Sequence, residues 1–441
     1  MSHIFPRNSR KAPPMVSRGD GPFLYDQDNK AYFDGSGGAA VSCLGHSDMA
    51  VTQAIKSQLD KVAFAHTGFF TSEPAEHLAA KLIEHAPTGL DRVYLVSGGS
   101  EAMESALKLA RQYCLEKGEG ARRHVIARRQ SYHGNTLGAL ATGGNQWRRE
   151  PFAPLLMETH HIAPCYAYRG QAAGESEFDY GQRVANELET KIAELGSENV
   201  MAFVAEPVVG ATAGAVPPVE GYFKRIREIC DAHGVLLILD EVMCGMGRTG
   251  TLFACEQDDI APDICAVAKG LGAGYQPIGA MLCTAEIYDT IRDGSGFFQH
   301  GHTYIGHPTA SAAALAVLTR LTDEGIADRV APMGAKLRAA LIDAFGQHAH
   351  VGDIRGRGLF LGLEIVKDRE TKTPFASDLK LHAALKSAAF EAGLICYPMG
   401  GTIDGQNGSH ILLAPPFIME DAHIELIVDA LQKALDVALP S

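Results

Sequence analysis

The sequence predicts an α/β protein: a large domain on a mainly parallel sheet covered by helices on both faces, plus a smaller α+β domain. Three observations lead there. Short continuous apolar runs alternate with helical patterns between about residues 93 and 268, as strands buried on both faces do. Past about residue 325 this alternation gives way to a helix, a strand pair and further short elements. At 441 residues the chain is also too long for one small core. The expected division is an N-terminal segment, 1–55, joining the small domain; a large domain, 56–324; and a C-terminal small domain, 325–441.

Residues 23–34 read as a hairpin, two apolar strands around Asp28-Asn29. Helical patterns follow at about 47–63 and 74–86. The run 93–96 is a strand before a helix at 101–117, and 124–127 is another strand. An amphipathic helix at roughly 180–195 precedes the strand 201–205. A helix ending near His233 precedes the strand 235–239, and 264–268 is one more buried run. Beyond 325 come a helix, a strand pair at 351–366, a helix at 378–392, short strands and a last helix at 420–438. The Gly-rich residues 398–409 read as a loop.

The 39 basic and 52 acidic side chains give a formal charge of −13, which argues against a nucleic-acid or anionic-membrane surface. No apolar stretch approaches the length of a membrane span. Arg7, Arg10 and Lys11 have no apolar segment behind them, so no secretory signal is expected. Nine cysteines, an odd number without CxxC spacing, fit free thiols in a reducing cytoplasm.

In an open parallel sheet, ligands sit beyond the carboxyl ends of the strands, so the polar residues following each apolar run carry the chemistry. The first such station is Ser97-Gly98-Gly99-Ser100, where glycines and a helix start could receive a phosphate; the plainer reading is a glycine turn with a serine cap. The second is Tyr132-His133-Gly134, where an aromatic could stack on a planar ring or merely pack. The third pairs Glu206 with Asp240-Glu241, acidic residues that could instead cap helices. Asp240 follows four aliphatic residues, where an unpaired carboxylate is costly. The fourth is Lys269, between the run 264–268 and Gly270, Gly272 and Gly274. A lysine and an aspartate on successive βα units can hold pyridoxal phosphate from both ends. The amine forms an imine with the aldehyde, and the carboxylate pairs with the pyridinium nitrogen.

Two other motifs point elsewhere. Gly245 to Gly250 matches GxGxxG, but it starts six residues past the strand end and does not open a helix. His300, His302 and His307 have no acidic or sulfur ligand clustered with them, so no metal site is expected.

In order, these stations resemble the class III pyridoxal-phosphate aminotransferases, enzymes of fold type I. The resemblance spans Tyr-Asp-Gln-Asp-Asn-Lys-Ala-Tyr-Phe-Asp (25–34), Ser-Gly-Gly-Ser-Glu-Ala-Met-Glu (97–104), Tyr-His-Gly (132–134) and Ala-Glu-Pro-Val (205–208). It continues through Leu-Asp-Glu-Val (239–242), Gly-Arg-Thr-Gly (247–250), Lys-Gly-Leu-Gly (269–272) and Gly-His-Thr-Tyr-Ile-Gly-His-Pro (301–308). It implies that Lys269 is the cofactor-linked lysine and proton shuttle, Asp240 the pyridinium partner, and Glu206 an acidic support. Tyr132 and Val242 would enclose the ring, with His133 beside it, and Gly99 and Ser100 would form the phosphate cup. Thr303 would reach the phosphate of the neighbouring subunit, implying a homodimer with shared active sites, or a tetramer built from such dimers. Phe69, Phe70, Asn135 and Ala211 are the expected substrate-pocket residues.

Members using 2-oxoglutarate carry an arginine where this chain has Asn135, a glutamate where it has Ala211 and a glutamine where it has Met243. The arginine that grips a carboxylate, and its glutamate partner, are missing. This implies a transaminase moving an amino group from an amine or ω-amino acid to a keto acid, pyruvate rather than 2-oxoglutarate, by a ping-pong route. Residues 397–416 contain no arginine, so carboxylate recognition is unassigned among Arg148, Arg149 and His410. Decarboxylating transamination, aminomutase, racemase and phospholyase chemistry share the same first step and stay open. A non-catalytic cofactor-binding regulator would need a basic DNA-binding region that neither terminus offers.

Overall fold

Seven strands form the central sheet of the computed structural model, which describes residues 3–10 and 12–440. Met1, Ser2, Lys11 and Ser441, which the expected domains included, lie outside the described residues. A small antiparallel sheet precedes the central one: β1 (Val16–Asp20), β2 (Phe23–Asp26) and β3 (Ala31–Phe33), in that order. β2 and β3 are the expected hairpin. β1 was not expected; its Val-Ser-Arg-Gly-Asp is polar and mostly exposed, so it lacks an apolar signal.

The central strands are β4 (Leu90–Val96), β5 (His124–Arg128), β6 (His160–Ile162), β7 (Val200–Ala205), β8 (Leu236–Asp240), β9 (Ile264–Val267) and β10 (Gly279–Thr284). Their order is β4-β10-β9-β8-β7-β5-β6. β6, β5, β7, β8 and β9 pair in parallel, whereas β10 runs antiparallel to both β9 and β4. Every residue of β7, β8 and β9 is buried, as their unbroken apolar sequences require of strands covered on both faces. Because β4 is reversed twice through β10, its end at Val96 opens on the same edge as the ends of β5, β7, β8 and β9. That edge carries all four stations.

The helix Gly99–Glu116 buries Ala102, Met103, Ala106, Leu107 and Ala110, a three-to-four spacing that lays one stripe on the sheet. Asp48 caps the helix Met49–Lys61, accepting from the Ala50 and Val51 N–H groups. A third sheet has the order β11-β12-β14-β13, with β11 (Val351–Arg357), β12 (Phe360–Ile365), β13 (Tyr397–Gly400) and β14 (Ser409–Leu413), all antiparallel. The segment 398–409 is therefore not simply a loop: its two ends pair, Gly400 with Ser409, and only the middle is irregular. Pro398 sits on the outer strand, where a missing N–H removes no ladder bond.

The N-terminal sheet is tied to the C-terminal region through Phe33. Its N–H donates to Gly393 O at 2.8 Å, its carbonyl accepts from Ile395 N–H at 2.9 Å, and its ring stacks on His423. All nine cysteines are free and buried. Among the described residues, no helix is long and apolar enough to cross a membrane.

Candidate active site

Beyond the carboxyl ends of β4, β5, β7, β8 and β9 lies a cavity of about 530 Å³. At its β4 side the chain turns through Ser97 and Gly98 into the helix Gly99–Glu116, whose first N–H groups have no intrahelical acceptors. Glu101 accepts the Ser97 N–H at 2.8 Å, and Ser100 Oγ accepts the Asn135 N–H at 3.0 Å. The turn is packed so closely that a Cβ on Gly99 would lie 2.7 Å from Val242 Cγ1. At Gly134, φ is 140° and a Cβ would lie 2.8 Å from Ser100 Oγ. Small residues and helix-start donors thus make a cradle suited to an anion.

Asp240 ends β8 and is 3% exposed. Its Oδ2 pairs with His133 Nδ1 at 2.8 Å, and its Oδ1 accepts the Val242 N–H at 3.0 Å. These bonds fix the carboxylate in a buried place where it would otherwise be costly. Glu206, just past β7, accepts the Gly210 N–H at 3.2 Å through Oε1, while its buried Oε2 has no hydrogen-bond partner among the described residues. Burial pushes the Glu206 carboxyl up to about 7. Lys269 follows β9 and faces the cavity. Burial lowers its amine to about 8, against the opposing pull of Asp240 and Glu206. No hydrogen bond to a described residue holds the amine, and its backbone is left-handed, φ 46°.

Tyr132 and Val242 line the same space. An amine able to lose its proton, a buried carboxylate, an anion cradle and two ring-sized walls therefore open on one volume. The aminotransferase class-III family model matches residues 4–435. This chain belongs to the class III aminotransferases.

An aminotransferase of Schizosaccharomyces pombe is 44% identical over 98% of this chain and 95% of its own length. A putrescine–pyruvate aminotransferase of Pseudomonas aeruginosa is 33% identical over 97% of this chain and 91% of its own. The crystal structure of an (S)-enantioselective omega-transaminase from Thermomicrobium roseum superimposes with a TM-score of 0.93 at 36% identity, covering 100% of this chain and 97% of that one. The aminotransferase thus has the expected fold type I architecture and transfers amino groups, and its cofactor is pyridoxal phosphate. Its residues fit that group: the cradle suits the phosphate, and Glu206 Oε2 and His133 Nε2 are buried polar atoms near the ring-sized space without partners among the described residues.

Gly99, Ser100, Tyr132, His133, Glu206, Ala211, Asp240, Val242 and Lys269 all line the cavity. His133 also braces Asp240 from behind. Asn135 does not line it; its side chain is exposed and only its N–H reaches Ser100. Thr303 is exposed and does not reach the cavity of its own chain. Phe69 and Phe70, 81% and 68% exposed, line a separate depression with His66.

The three carboxylate-binding candidates separate clearly. Arg149 Nη1 donates to the carbonyls of Leu140, Ala141 and Gly143, and the side chain does not line the cavity. His410 is buried between Ala211 O and Thr402 Oγ1, and burial lowers it to about 3. Arg148 lines the cavity. So do Arg7 and Tyr397, which sequence reasoning did not single out as site residues; the chain around them carries no local signal for it. In the GxGxxG segment, buried Arg248 donates to the carbonyls of Leu359 and Pro415, a structural tie rather than a nucleotide cradle. His124, Glu158 and His160 bring ligand atoms within 4.8 Å of one another, but at the amino end of β5, away from the cavity.

Proposed function

We propose that this aminotransferase takes the amino group of an amine or ω-amino acid and passes it to pyruvate by a ping-pong route. The observation carrying the choice of acceptor is the cavity wall: Ala211 and Met243 face it where the 2-oxoglutarate-using type carries polar residues. The likeness to a relative named for putrescine and pyruvate supports the same reading.

When bound, pyridoxal phosphate supplies an aldehyde for a lysine and a ring that withdraws electrons from the reacting carbon. In this reading Lys269 Nζ would hold the cofactor through its aldehyde and, with the donor in place, would carry the proton taken from the donor's reacting carbon. An amine lowered to about 8 by burial suits both tasks, because a sizeable share is neutral near that pH. Asp240, fixed by His133 and the Val242 N–H, holds the proton on the ring nitrogen. Tyr132 and Val242 enclose the ring, and the N–H groups at Gly99 and Ser100, with the Ser100 hydroxyl, hold the phosphate. Glu206 takes up or releases a proton near neutrality beside them. Thr303 of the partner subunit completes the phosphate site, and Phe69 and Phe70 of the partner subunit wall the substrate entrance, in a homodimer that can pair further into a tetramer.

The same reading divides the chain at about residues 55 and 324 and places it in the cytoplasm, which nine free, buried thiols suit. The test is to supply an amine donor with and without pyruvate. Alanine formed only with pyruvate supports transamination; product from the donor without an acceptor would establish a lyase instead. Equal rates with 2-oxoglutarate would refute the acceptor assignment.

A further inference from the structure

We infer that Arg148, assisted by Arg7, is the carboxylate-recognition site, receiving the carboxylate of the keto acid or of an ω-amino acid donor. This rests on the transaminase reading and names the group by which it selects substrates. Both arginines line the cavity that Lys269 faces. Neither makes a salt bridge or side-chain hydrogen bond to a described residue, and Arg148 Nε is buried with no hydrogen-bond partner among the described residues. Arginines elsewhere in this fold are tied into it by hydrogen bonds, although Arg128 Nε and Arg248 Nη2 also lack partners among the described residues; Arg128 donates to the Glu206 carbonyl. Arg248 bonds two carbonyls, Arg355 bonds Glu364 and two carbonyls, and Arg149, the very next residue, bonds three.

Arg148 is also held in place. Its guanidinium lies 4.5 Å over the Tyr132 ring and 5.6 Å from that of Trp147, so its flat face is packed while its edge N–H groups stay unspent. Its N–H is capped by Asn145 Oδ1, Asn145 donates to Gln130, and Gln130 donates to the Gly401 and Thr402 carbonyls. The arginine therefore rides on a braced turn. Both guanidiniums act on the Tyr132 phenol, opposing the rise that burial causes.

The cavity's own acids do not answer these cations: Asp240 is committed to His133 and the Val242 N–H, and Glu206, which accepts the Gly210 N–H through Oε1 alone, makes no ion pair with either arginine. A partly desolvated guanidinium without a counter-charge is costly, and a substrate carboxylate offers it two parallel N–H···O bonds. Arg148 thus does from the segment after β5 what no residue of 397–416 can do.

The test compares pyruvate with acetaldehyde, which has the same reacting carbonyl but no carboxylate, in the cofactor-loaded enzyme. In Arg148→Gln the ratio of kcat/KM for pyruvate to that for acetaldehyde should fall about 10- to 100-fold, the loss of a hydrogen-bonded charge pair. Arg148→Lys should recover part of it, and Arg7→Gln should lower it less. Trp147, the chain's single tryptophan, gives a readout independent of turnover. Butyrate should change its fluorescence saturably in wild type and not in Arg148→Gln, and butanol should do neither. An unchanged acceptor ratio overturns the assignment, as does weakened cofactor retention with that ratio intact, which would give Arg148 to the phosphate. If wild type makes no alanine from any donor, the transaminase reading fails, while the butyrate titration still decides the role of Arg148.

Discussion

Replacing Glu206 with Gln should change how the stability of the cofactor-free protein depends on pH. Burial lifts the folded-state carboxyl from 4.5 to about 7. Between those values the folded chain holds a proton that the unfolded chain has released, so folding weakens as pH rises. The stabilisation is complete below about pH 4.5 and exhausted above about pH 7. The two pH units between 5 and 7 correspond to at most about 2.7 kcal/mol. Glutamine does not titrate, and its carbonyl oxygen can still accept the Gly210 N–H. Any cost of placing its amide is the same at every pH. Glu241 and Glu364, also raised by burial, titrate in both proteins and cancel in the comparison, and a range ending at pH 7 stays below the Lys269 amine, which Glu206 pulls on. Urea unfolding at pH 5, 6 and 7 should therefore show the variant gaining on wild type by about 2 kcal/mol across that window. Parallel curves would refute the reasoning; they would mean Glu206 stays ionised in the folded chain, balanced by Lys269.

Two further outcomes follow from the geometry. Lys269→Ala should still take up pyridoxal phosphate but release it on gel filtration, with turnover down about 10²- to 10⁴-fold for loss of the proton-transferring group; retained turnover would remove Lys269 from the chemistry. Gly99→Ala would set a methyl group 2.7 Å from Val242 Cγ1, so either the turn or Val242 must shift. Cofactor affinity, read by absorbance titration, should weaken at least about tenfold, the order that small-to-large changes in packed sites impose; unaltered affinity would show that the turn yields without cost.

What could be read from the sequence was local. Asp240 and Lys269 were legible because each follows an unbroken aliphatic run, which places a polar residue at a strand's end whatever the rest of the chain does. β10 was not, because Gly-Ala-Met-Leu-Cys-Thr is poor in β-branched residues and is a strand only because β4 and β9 flank it. Glycines at both ends hid the pairing of β13 with β14. The His133–Asp240 contact joins residues from separate strands, and its bracing role has no sequence signal. Arg148 and Arg149 are neighbours of the same type; one is spent and one is available because successive residues of a helical turn point in different directions.

Lys269 sits in a left-handed backbone conformation that costs an L-residue about 1–2 kcal/mol and glycine very little. Heat resistance and turnover therefore pull in opposite directions at this position. A library selected for thermal survival alone would drift toward glycine at 269 and fill with sturdy, inert protein. Only a screen that ties survival to product formation would keep the lysine.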